Sequence, residues 1–202
     1  MTLPLLTICI TTYNSEKTIK KTLQSVLNQT YPNFEILVSD NNSTDKTLEV
    51  VNSFRSPKIS IRQNVKKIKS DKWYIGSYDN YNGCLESGLI RTEFVAFYHS
   101  DDIYEKDIAQ KEVEFLLQHP NTGAVFTMGK IINEKDEVIG EHKIPKELIG
   151  KDTYDFEEIF NSVLTHGNIF LLTPTFMARS SIFENVGLFA SEGEFGTSAD
   201  LE

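Results

Sequence analysis

Several features by which a function is often recognised are missing from this sequence of 202 residues. It has no GxxxxGK or GxGxxG loop, which disfavours a kinase-type phosphate site and a dinucleotide site. No uninterrupted apolar stretch approaches the ~20 residues that a membrane-spanning helix needs. The opening MTLPLLTICITTYN has neither the basic start nor the small-residue cleavage site of a signal peptide. We therefore expect no transmembrane segment in this piece.

Positive charge is also scarce. The sequence has 20 lysines and arginines against 29 aspartates and glutamates, which gives a formal net charge of −9. Nucleic acid is not expected as a partner, because its binding depends on cations that neutralise phosphates. The one conspicuous basic run, Lys66 to Lys72, is interpreted as a solvated loop. A small anionic ligand remains compatible with this charge if a cation bridges it to the protein.

Cysteine is rare, and linkers are absent. The two cysteines, Cys9 and Cys84, lie far apart in sequence and form no metal-type pair, and Cys9 lies within an apolar run. This usage fits a reducing, cytoplasmic setting. No low-complexity tract or linker rich in proline, glycine or serine divides the chain, so we predict a single domain over residues 1–202.

The first half of the chain alternates short β-rich runs with helical patterns, which is typical of a mostly parallel sheet flanked by helices. Asn14 or Ser15 is expected to cap the first helix. Strands are predicted at 5–11, 34–39, 58–63 and 93–99, and helices at 16–29, 45–54, about 77–88 and 105–119. The fold class is therefore α/β and Rossmann-like.

The second half predicts a smaller, mixed region. Two β-like runs flank the polar turn NEKDE and suggest a hairpin within 123–143. A helix near 155–164, a strand within 173–180 and a short helix near 181–186 follow. An α/β first half thus passes into an α+β second half.

Three polar clusters follow predicted strands: TTYN at 11–14, SDNNSTD at 39–45 and HSDD at 99–102. Each cluster alone could be turn or helix-cap chemistry. All three, however, fall at the carboxyl ends of strands, where ligands collect in open parallel sheets. Their convergence predicts a binding site.

The residues of these clusters suit a nucleotide diphosphate. Tyr13 offers an aromatic face to a base, and Asp40 and Asn41 offer acceptors to a base N–H or to ribose hydroxyls. Asp101 can hold a hard divalent cation through oxygen. Such a cation would bridge the acidic protein to the pyrophosphate and stabilise the charge on a departing diphosphate.

The sequence TICITTYNSEKTIKKTLQSVLNQTYPNFEILVSDNNSTDKTLEVV strongly resembles the opening of family 2 glycosyltransferases, whose GT-A fold is a Rossmann-like domain that holds a nucleotide sugar. The motifs TYN, QTYPNFEI, DNNSTD and SDDIY occur in order at the spacings of that family. The resemblance runs from about residue 5 to the end and is densest over 7–54 and 93–107.

The resemblance implies roles for residues on the nucleotide side. Thr11 and Tyr13 match positions that line the nucleobase pocket, and Glu16 lies in the same loop. Asp40 and Asn41 match an Asp-Asp pair that reads base and ribose. Asn82 matches an Asn near the diphosphate, with Tyr81 where an Arg often stands, and Ser100 lies inside the metal motif.

The Asp-x-Asp metal motif of the family reads His99-Ser100-Asp101 in this chain. Asp101 matches the aspartate that ligates the cation. His99 replaces the other aspartate, and it could bind the metal or the ribose, or merely end a strand. The loss of one carboxylate implies weaker Mg²⁺ binding and a preference for Mn²⁺, which tolerates imidazole better. The neighbouring Asp102 is expected to be a helix N-cap.

The catalytic base of family members lies near the end of the domain, where this chain reads TSADLE. Asp200 is the nearest candidate for deprotonating an acceptor hydroxyl, with Glu194 as a fallback. His166 could contact an acceptor or serve the structure alone. We also expect the acceptor side to be incomplete. The final Leu201 and Glu202 match a common cloning scar, so whether they are native stays open.

The resemblance implies an inverting, metal-assisted glycosyltransferase that uses a nucleotide diphosphate sugar, with a UDP-sugar favoured. Residues to about 104 would bind the nucleotide, and residues from about 105 would form the acceptor side. A glycan or lipid-linked acceptor, a role in surface polysaccharide synthesis and a cytoplasmic location, peripheral to the inner membrane face, would be typical. Two alternatives stay open: a catalytically silent nucleotide-sugar binding module, and a phospho-accepting switch built around Asp40.

Overall fold

The structure is a computed structural model that describes residues 2–64 and 73–189, except for the side chains of residues 73–77. Its strands and helices, in chain order, are β1 Leu6–Thr12, α1 Ile19–Leu27, β2 Phe34–Asp40, α2 Thr47–Ser53, β3 Ile59–Gln63, α3 Trp73–Glu86, β4 Phe94–His99, α4 Ile108–Gln118, β5 Ala124–Val125, β6 Lys130–Ile132, β7 Val138–Glu141, α5 Phe156–His166, β8 Phe176–Arg179 and α6 Ile182–Val186. Short 3₁₀ turns lie at Lys146–Leu148 and Thr173–Thr175.

A six-stranded sheet in the order β3-β2-β1-β4-β8-β5 forms the centre of the fold. The first four strands are parallel to one another, whereas β8 runs antiparallel to both β4 and β5. Strands β1, β2 and β4 are rich in apolar residues and almost wholly buried, as parallel strands covered on both faces usually are. The predicted mostly parallel sheet flanked by helices is confirmed.

The two faces of the sheet carry separate apolar clusters. Successive residues of a strand point to opposite faces. Ile10 accordingly packs with Leu23 of α1 and Val113 of α4, while its neighbour Cys9 packs with Tyr81 of α3. The strands are thereby held between two layers of helices, and their carboxyl ends are left to the connecting loops.

The second half contains the predicted hairpin and helix. Strands β6 and β7 pair with each other as a separate antiparallel ribbon. Helix α5 begins with a reciprocal capping box, in which the Glu158 N–H donates to Asp155 Oδ1 at 2.9 Å and the Asp155 N–H donates to Glu158 Oε2 at 3.2 Å. Within the described ranges, no helix has both the length and the apolar character needed to cross a bilayer.

Three local predictions were wrong. Helix α1 begins at Ile19 after Thr18, because Asn14 instead has a positive φ of 50° and accepts a hydrogen bond from the Thr44 N–H. Asp102 does not cap α4, which begins at Ile108 and has Asp107 in that position. The first β-like run of the expected hairpin splits, because Ala124–Val125 joins the main sheet beside β8.

Candidate active site

The register of the sheet aligns the three polar clusters. Thr11 pairs with Ser39 of β2 on one side and with His99 of β4 on the other, and Thr12 pairs with Asp40. The carboxyl ends of β1, β2 and β4 therefore lie side by side. The sequence-predicted convergence of their loops is present in the structure.

The loops after β1 and β2 are joined by side-chain hydrogen bonds. The Asn14 N–H donates to Ser43 Oγ at 2.9 Å, and Asn14 Oδ1 accepts from the Thr44 N–H at 2.9 Å. Glu16 Oε2 accepts from the Lys46 N–H at 2.9 Å. Glu16 thus holds the second loop in place, and Tyr13 lies exposed beside it.

Asp40 organises its own loop. It is fully buried, and its carboxylate accepts hydrogen bonds from the N–H and the hydroxyl of Ser43, at 2.9 Å and 2.5 Å. Gln63 of β3 donates to the same carboxylate at 3.3 Å. The neighbouring Asn41 is also buried, and its Oδ1 accepts from Asn64 at 3.2 Å.

A polar network that sequence reasoning missed lies beneath this loop. Ser39 Oγ donates to Asn80 Oδ1 at 2.6 Å, and Asn80 Nδ2 donates to the Ser39 carbonyl at 2.8 Å. Arg62 of β3 donates to Ser39 Oγ at 3.0 Å and lies against Gly83, where an added Cβ would stand 2.5 Å from Nη2. The lack of a side chain at Gly83 therefore leaves room for the guanidinium. No local motif indicates such long-range partners.

The end of β4 carries a candidate metal centre. Each of His99, Asp101 and Asp102 offers one ligand atom, and these atoms lie within 4.8 Å of one another. His99 Nδ1 lies 3.9 Å from Asp102 Oδ2. One imidazole and two carboxylates form a mixed nitrogen and oxygen donor set of the kind that divalent cations bind. Sequence reasoning named His99 and Asp101 as candidate ligands, whereas it interpreted Asp102 as a helix cap.

The charges of this centre are poorly compensated. Burial, together with the negative charge of Asp101, raises the pKa of Asp102 to about 6. Burial lowers the pKa of His99, and Asp101 opposes that shift only in part, so the imidazole is neutral at pH 7. Two close carboxylates without a protonated neighbour in the cluster fit a site that receives a divalent cation.

Tyr81 orients His99. The Tyr81 hydroxyl lies 2.5 Å from His99 Nε2, and the two rings stack with centroids 6.2 Å apart. This contact leaves Nδ1 on the side of Asp102. Ser100, by contrast, is buried and bonds to Ser15 Oγ at 2.8 Å, so in this structure it joins the loops after β1 and β4.

The remaining candidates lie elsewhere or outside the described residues. Asn82 donates to the Phe189 carbonyl at 2.7 Å and accepts from the Phe189 N–H at 2.9 Å, so it fastens the chain at residue 189. His166, the last residue of α5, pairs with Glu147 at 2.7 Å. Asp200, Glu194 and the basic run 66–72 lie outside the described residues.

Comparison with known families identifies the domain. The family model described as "Glycosyl transferase family 2" matches residues 7–187. The chain belongs to glycosyltransferase family 2. The family 2 domain is similar to the UDP-Glc:alpha-D-GlcNAc-diphosphoundecaprenol beta-1,3-glucosyltransferase WfgD of Escherichia coli, with 30% identity over 144 residues that cover 71% of this chain and 53% of WfgD.

A second relative is longer still. The poly(ribitol-phosphate) beta-N-acetylglucosaminyltransferase TarS of Staphylococcus aureus strain Mu50 is 27% identical over 187 residues, which cover 92% of this chain and 29% of TarS. The chain therefore spans about half or less of the length of these relatives.

Solved structures agree on the fold. The structure of S. aureus TarS 1-349 in complex with UDP superimposes with a TM-score of 0.73 at 24% identity, covering 97% of this chain and 53% of that one. The mannosyltransferase PcManGT from Pyrobaculum calidifontis, in complex with GDP-Man and Mn²⁺, gives 0.64 at 17% identity, covering 95% and 49%. These likenesses show that the family 2 domain has the GT-A fold.

Proposed function

We propose that the protein is an inverting glycosyltransferase that moves a sugar from a UDP-sugar to an acceptor hydroxyl. The observation that carries the proposal is the meeting, at the ends of β1, β2 and β4, of the loops that carry Tyr13 and Asn41 with the cluster of His99, Asp101 and Asp102. Residues to about 104 would form the donor side, and residues from about 105 the acceptor side.

In this proposal the loops after β1 and β2 hold the nucleoside. Tyr13 stacks on the base at the rim of the site, and Thr11 lines the pocket behind it. Asp40 keeps the second loop in its turn through Ser43, so that Asn41 meets the base or ribose. Glu16 locks the two loops together, which preserves the pocket between them.

Asp101 and Asp102, with His99, would hold a divalent cation, Mn²⁺ in preference to Mg²⁺. When bound, the ion would supply positive charge that stabilises the departing diphosphate. Tyr81 fixes the imidazole so that Nδ1 faces the carboxylates. Asp200 is proposed as the base that takes the proton of the acceptor hydroxyl. The acceptor oxygen then attacks the anomeric carbon on the face opposite the departing diphosphate.

The donor and acceptor are inferred from relatives. WfgD is named for a UDP-Glc donor and a diphosphoundecaprenol acceptor, and TarS has been solved with UDP and with UDP-GlcNAc. For this chain we propose a UDP-sugar as the donor and a lipid-linked or polymeric glycan as the acceptor. The reaction would take place on the cytoplasmic side of a membrane. Surface polysaccharide synthesis is the setting that these acceptors suggest.

The test begins with binding, because ligand binding raises apparent thermal stability and needs no knowledge of the acceptor. UDP-, GDP- and dTDP-sugars are added with and without Mn²⁺, and the melting temperature is measured. We expect UDP-sugars with Mn²⁺ to stabilise the protein most. Asp101→Asn should remove the Mn²⁺-dependent part, whereas the exposed Asp152→Asn should not.

Turnover separates an enzyme from a silent binding module. UDP release from the stabilising donor, with or without an added acceptor, should fall by about 100-fold or more in Asp101→Asn. Tight binding without UDP release by the full-length protein, with lipid-linked acceptors present, would favour the silent module. Equal stabilisation with and without the metal ion would contradict the proposed metal centre.

A further inference from the structure

Three polar side chains of helix α1 and the residues just after it are buried or partly buried. Thr22 and Gln29 are 1% and 8% exposed, and Ser25 between them is partly buried. The spacing of three and then four residues places them on one side of the helix and its extension. Buried polar groups cost free energy unless they are hydrogen-bonded, so this stripe needs partners.

Each of the three finds a partner in the backbone that leads from β4 into α4. Ser25 Oγ and Gln29 Nε2 also donate to carbonyls of α1, those of Thr22 at 2.8 Å and of Ser25 at 3.4 Å. Thr22 Oγ1 donates to the Asp102 carbonyl at 2.8 Å. Ser25 Oγ accepts from the Tyr104 N–H at 3.1 Å. The segment from β4 to α4 covers residues 102–109, and these two side chains hold its first turn. Because they bond to backbone atoms, the restraint does not depend on the side chains of the segment.

Gln29 holds the second turn of the same segment. Its Nε2 donates to the Glu105 carbonyl at 2.8 Å, and its Oε1 accepts from the Ala109 N–H at 3.1 Å. The Thr30 N–H adds a bond to the Lys106 carbonyl at 2.7 Å. The path between β4 and α4 is thus set by α1, about 80 residues earlier in the chain.

The other side of the segment returns to β4. Tyr104 is buried and stacks on Tyr98 with ring centroids 3.8 Å apart. Its hydroxyl accepts from the His99 N–H at 2.8 Å. The backbones of His99 and Asp102 are therefore both restrained, the first by Tyr104 and the second by Thr22.

We propose that Thr22, Ser25 and Gln29 are positioning residues that keep the His99, Asp101 and Asp102 side chains close enough to bind a divalent cation. The inference rests on the proposed metal centre. Two neighbouring carboxylates repel each other, so without restraint the segment would relax and separate them before an ion arrives. Fixing the Asp102 carbonyl opposes that relaxation, and partners that orient ligands typically affect metal affinity about 10- to 100-fold.

The test uses Thr22→Val, which keeps the shape of the side chain and removes its donor. Mn²⁺ binding to the wild-type protein and the variant is measured by the electron paramagnetic resonance signal of free Mn²⁺, with and without UDP. We expect at least about 10-fold weaker binding in Thr22→Val. Thr22→Ser, which retains the hydroxyl, should restore it.

Thr7→Val provides the matched control. Thr7 is another buried threonine, but it lies at the opposite end of β1 and bonds to Thr92 and Glu35 at 2.9 Å and 2.8 Å. We expect Thr7→Val to lower the melting temperature and leave Mn²⁺ affinity unchanged. Equal Mn²⁺ affinity in Thr22→Val and the wild type would overturn the positioning role and leave the proposed function intact.

Gln29→Glu gives a second variant should Thr22→Val fail to fold. It keeps an acceptor for the Ala109 N–H and loses the donor to the Glu105 carbonyl. We expect weaker Mn²⁺ binding, because the Glu105 carbonyl loses the donor that holds the segment after Asp102. Unchanged affinity in this variant would also overturn the inference, and a wild-type protein that binds no Mn²⁺ would overturn both the inference and the metal centre.

Discussion

The amino-terminal region, residues 2–64 and 73–104, and the carboxyl-terminal region, residues 143–189, differ in how they use apolar residues. The five residues Phe94 to Tyr98 of β4 are all 0% exposed. The carboxyl-terminal region instead leaves large apolar side chains between 56% and 71% exposed: Ile149, Phe156, Leu164, Ile169 and Val186. The amino-terminal region is therefore held largely by its own packing. The second region joins the core through β8, where Met177 and Ala178 are 0% exposed, and elsewhere depends more on local interactions.

The helices of the two regions show the same contrast. Thr18 precedes α1 without a side-chain cap, and α1 buries Leu23 and Val26 against the sheet. Helix α5 has the complete capping box of Asp155 and Glu158, but Phe156 and Leu164 remain exposed. A helix that is packed can do without a cap, because most helical stability in proteins comes from tertiary packing.

The largest effect should come from truncating one phenylalanine in each region. Phe97→Ala removes a fully buried ring that packs against Tyr81 and Phe176, and should cost about 3–5 kcal/mol of unfolding free energy. Phe156→Ala removes a ring that is 69% exposed and should change stability by about 0.5 kcal/mol or less. Urea unfolding measures both, and equal losses would contradict the contrast.

A smaller effect should come from a buried carboxyl on helix α4. Glu112 of α4 is 1% exposed, and neither of its oxygens has a hydrogen-bond partner of normal geometry among the described residues. Burial raises its pKa well above 4.5, and the nearby Tyr98 hydroxyl offsets this only in part. The folded protein therefore keeps this proton at a pH where the unfolded chain has released it.

Glu112→Met should consequently stabilise the protein by about 1–3 kcal/mol near pH 7. Below pH 4.5 the carboxyl is protonated in the folded and the unfolded protein, so its burial carries no ionisation penalty. The free energy of unfolding of the wild type falls as pH rises from there towards the raised pKa. The variant should lose this slope, and Glu112→Gln separates the effect of charge from that of polarity. A pH-independent difference in melting temperature would show that Glu112 does not titrate in this way.

The smallest effect should come from the helix caps. Asp155→Ala removes the acceptor for the Glu158 N–H and should cost about 1 kcal/mol, seen as faster hydrogen exchange within α5. Thr18→Ala should leave exchange within α1 unchanged, because no side-chain cap is lost. Similar changes in both helices would mean that packing does not compensate for the missing cap.

The parts of the fold that sequence patterns predicted are those governed by local chemistry. Strands β1, β2 and β4 were recognised from continuous apolar runs, with ends displaced by only one residue. The start of α1 was missed because Asn14 bonds to Thr44, thirty residues away. The pairing of β5 with β8 likewise joins segments more than fifty residues apart.

The candidate site divides in the same way. His99 and Asp101 belong to a motif that can be read along the chain, and the structure brings them together. Asp102 was interpreted as a helix cap. Its place beside His99 depends on a hydrogen bond from Thr22, 80 residues earlier, and the local sequence does not show that bond. The network of Ser39, Asn80 and Arg62 joins three separate elements and leaves no local pattern.

The double hydrogen bond between Asn82 and Phe189 fixes residue 189 against α3. The Phe189 ring centroid is 5.7 Å from that of Tyr81, whose hydroxyl contacts His99. Asn82 thereby links residue 189 to the ring that contacts His99, so a change at Asn82 is expected to reach the candidate metal centre through Tyr81.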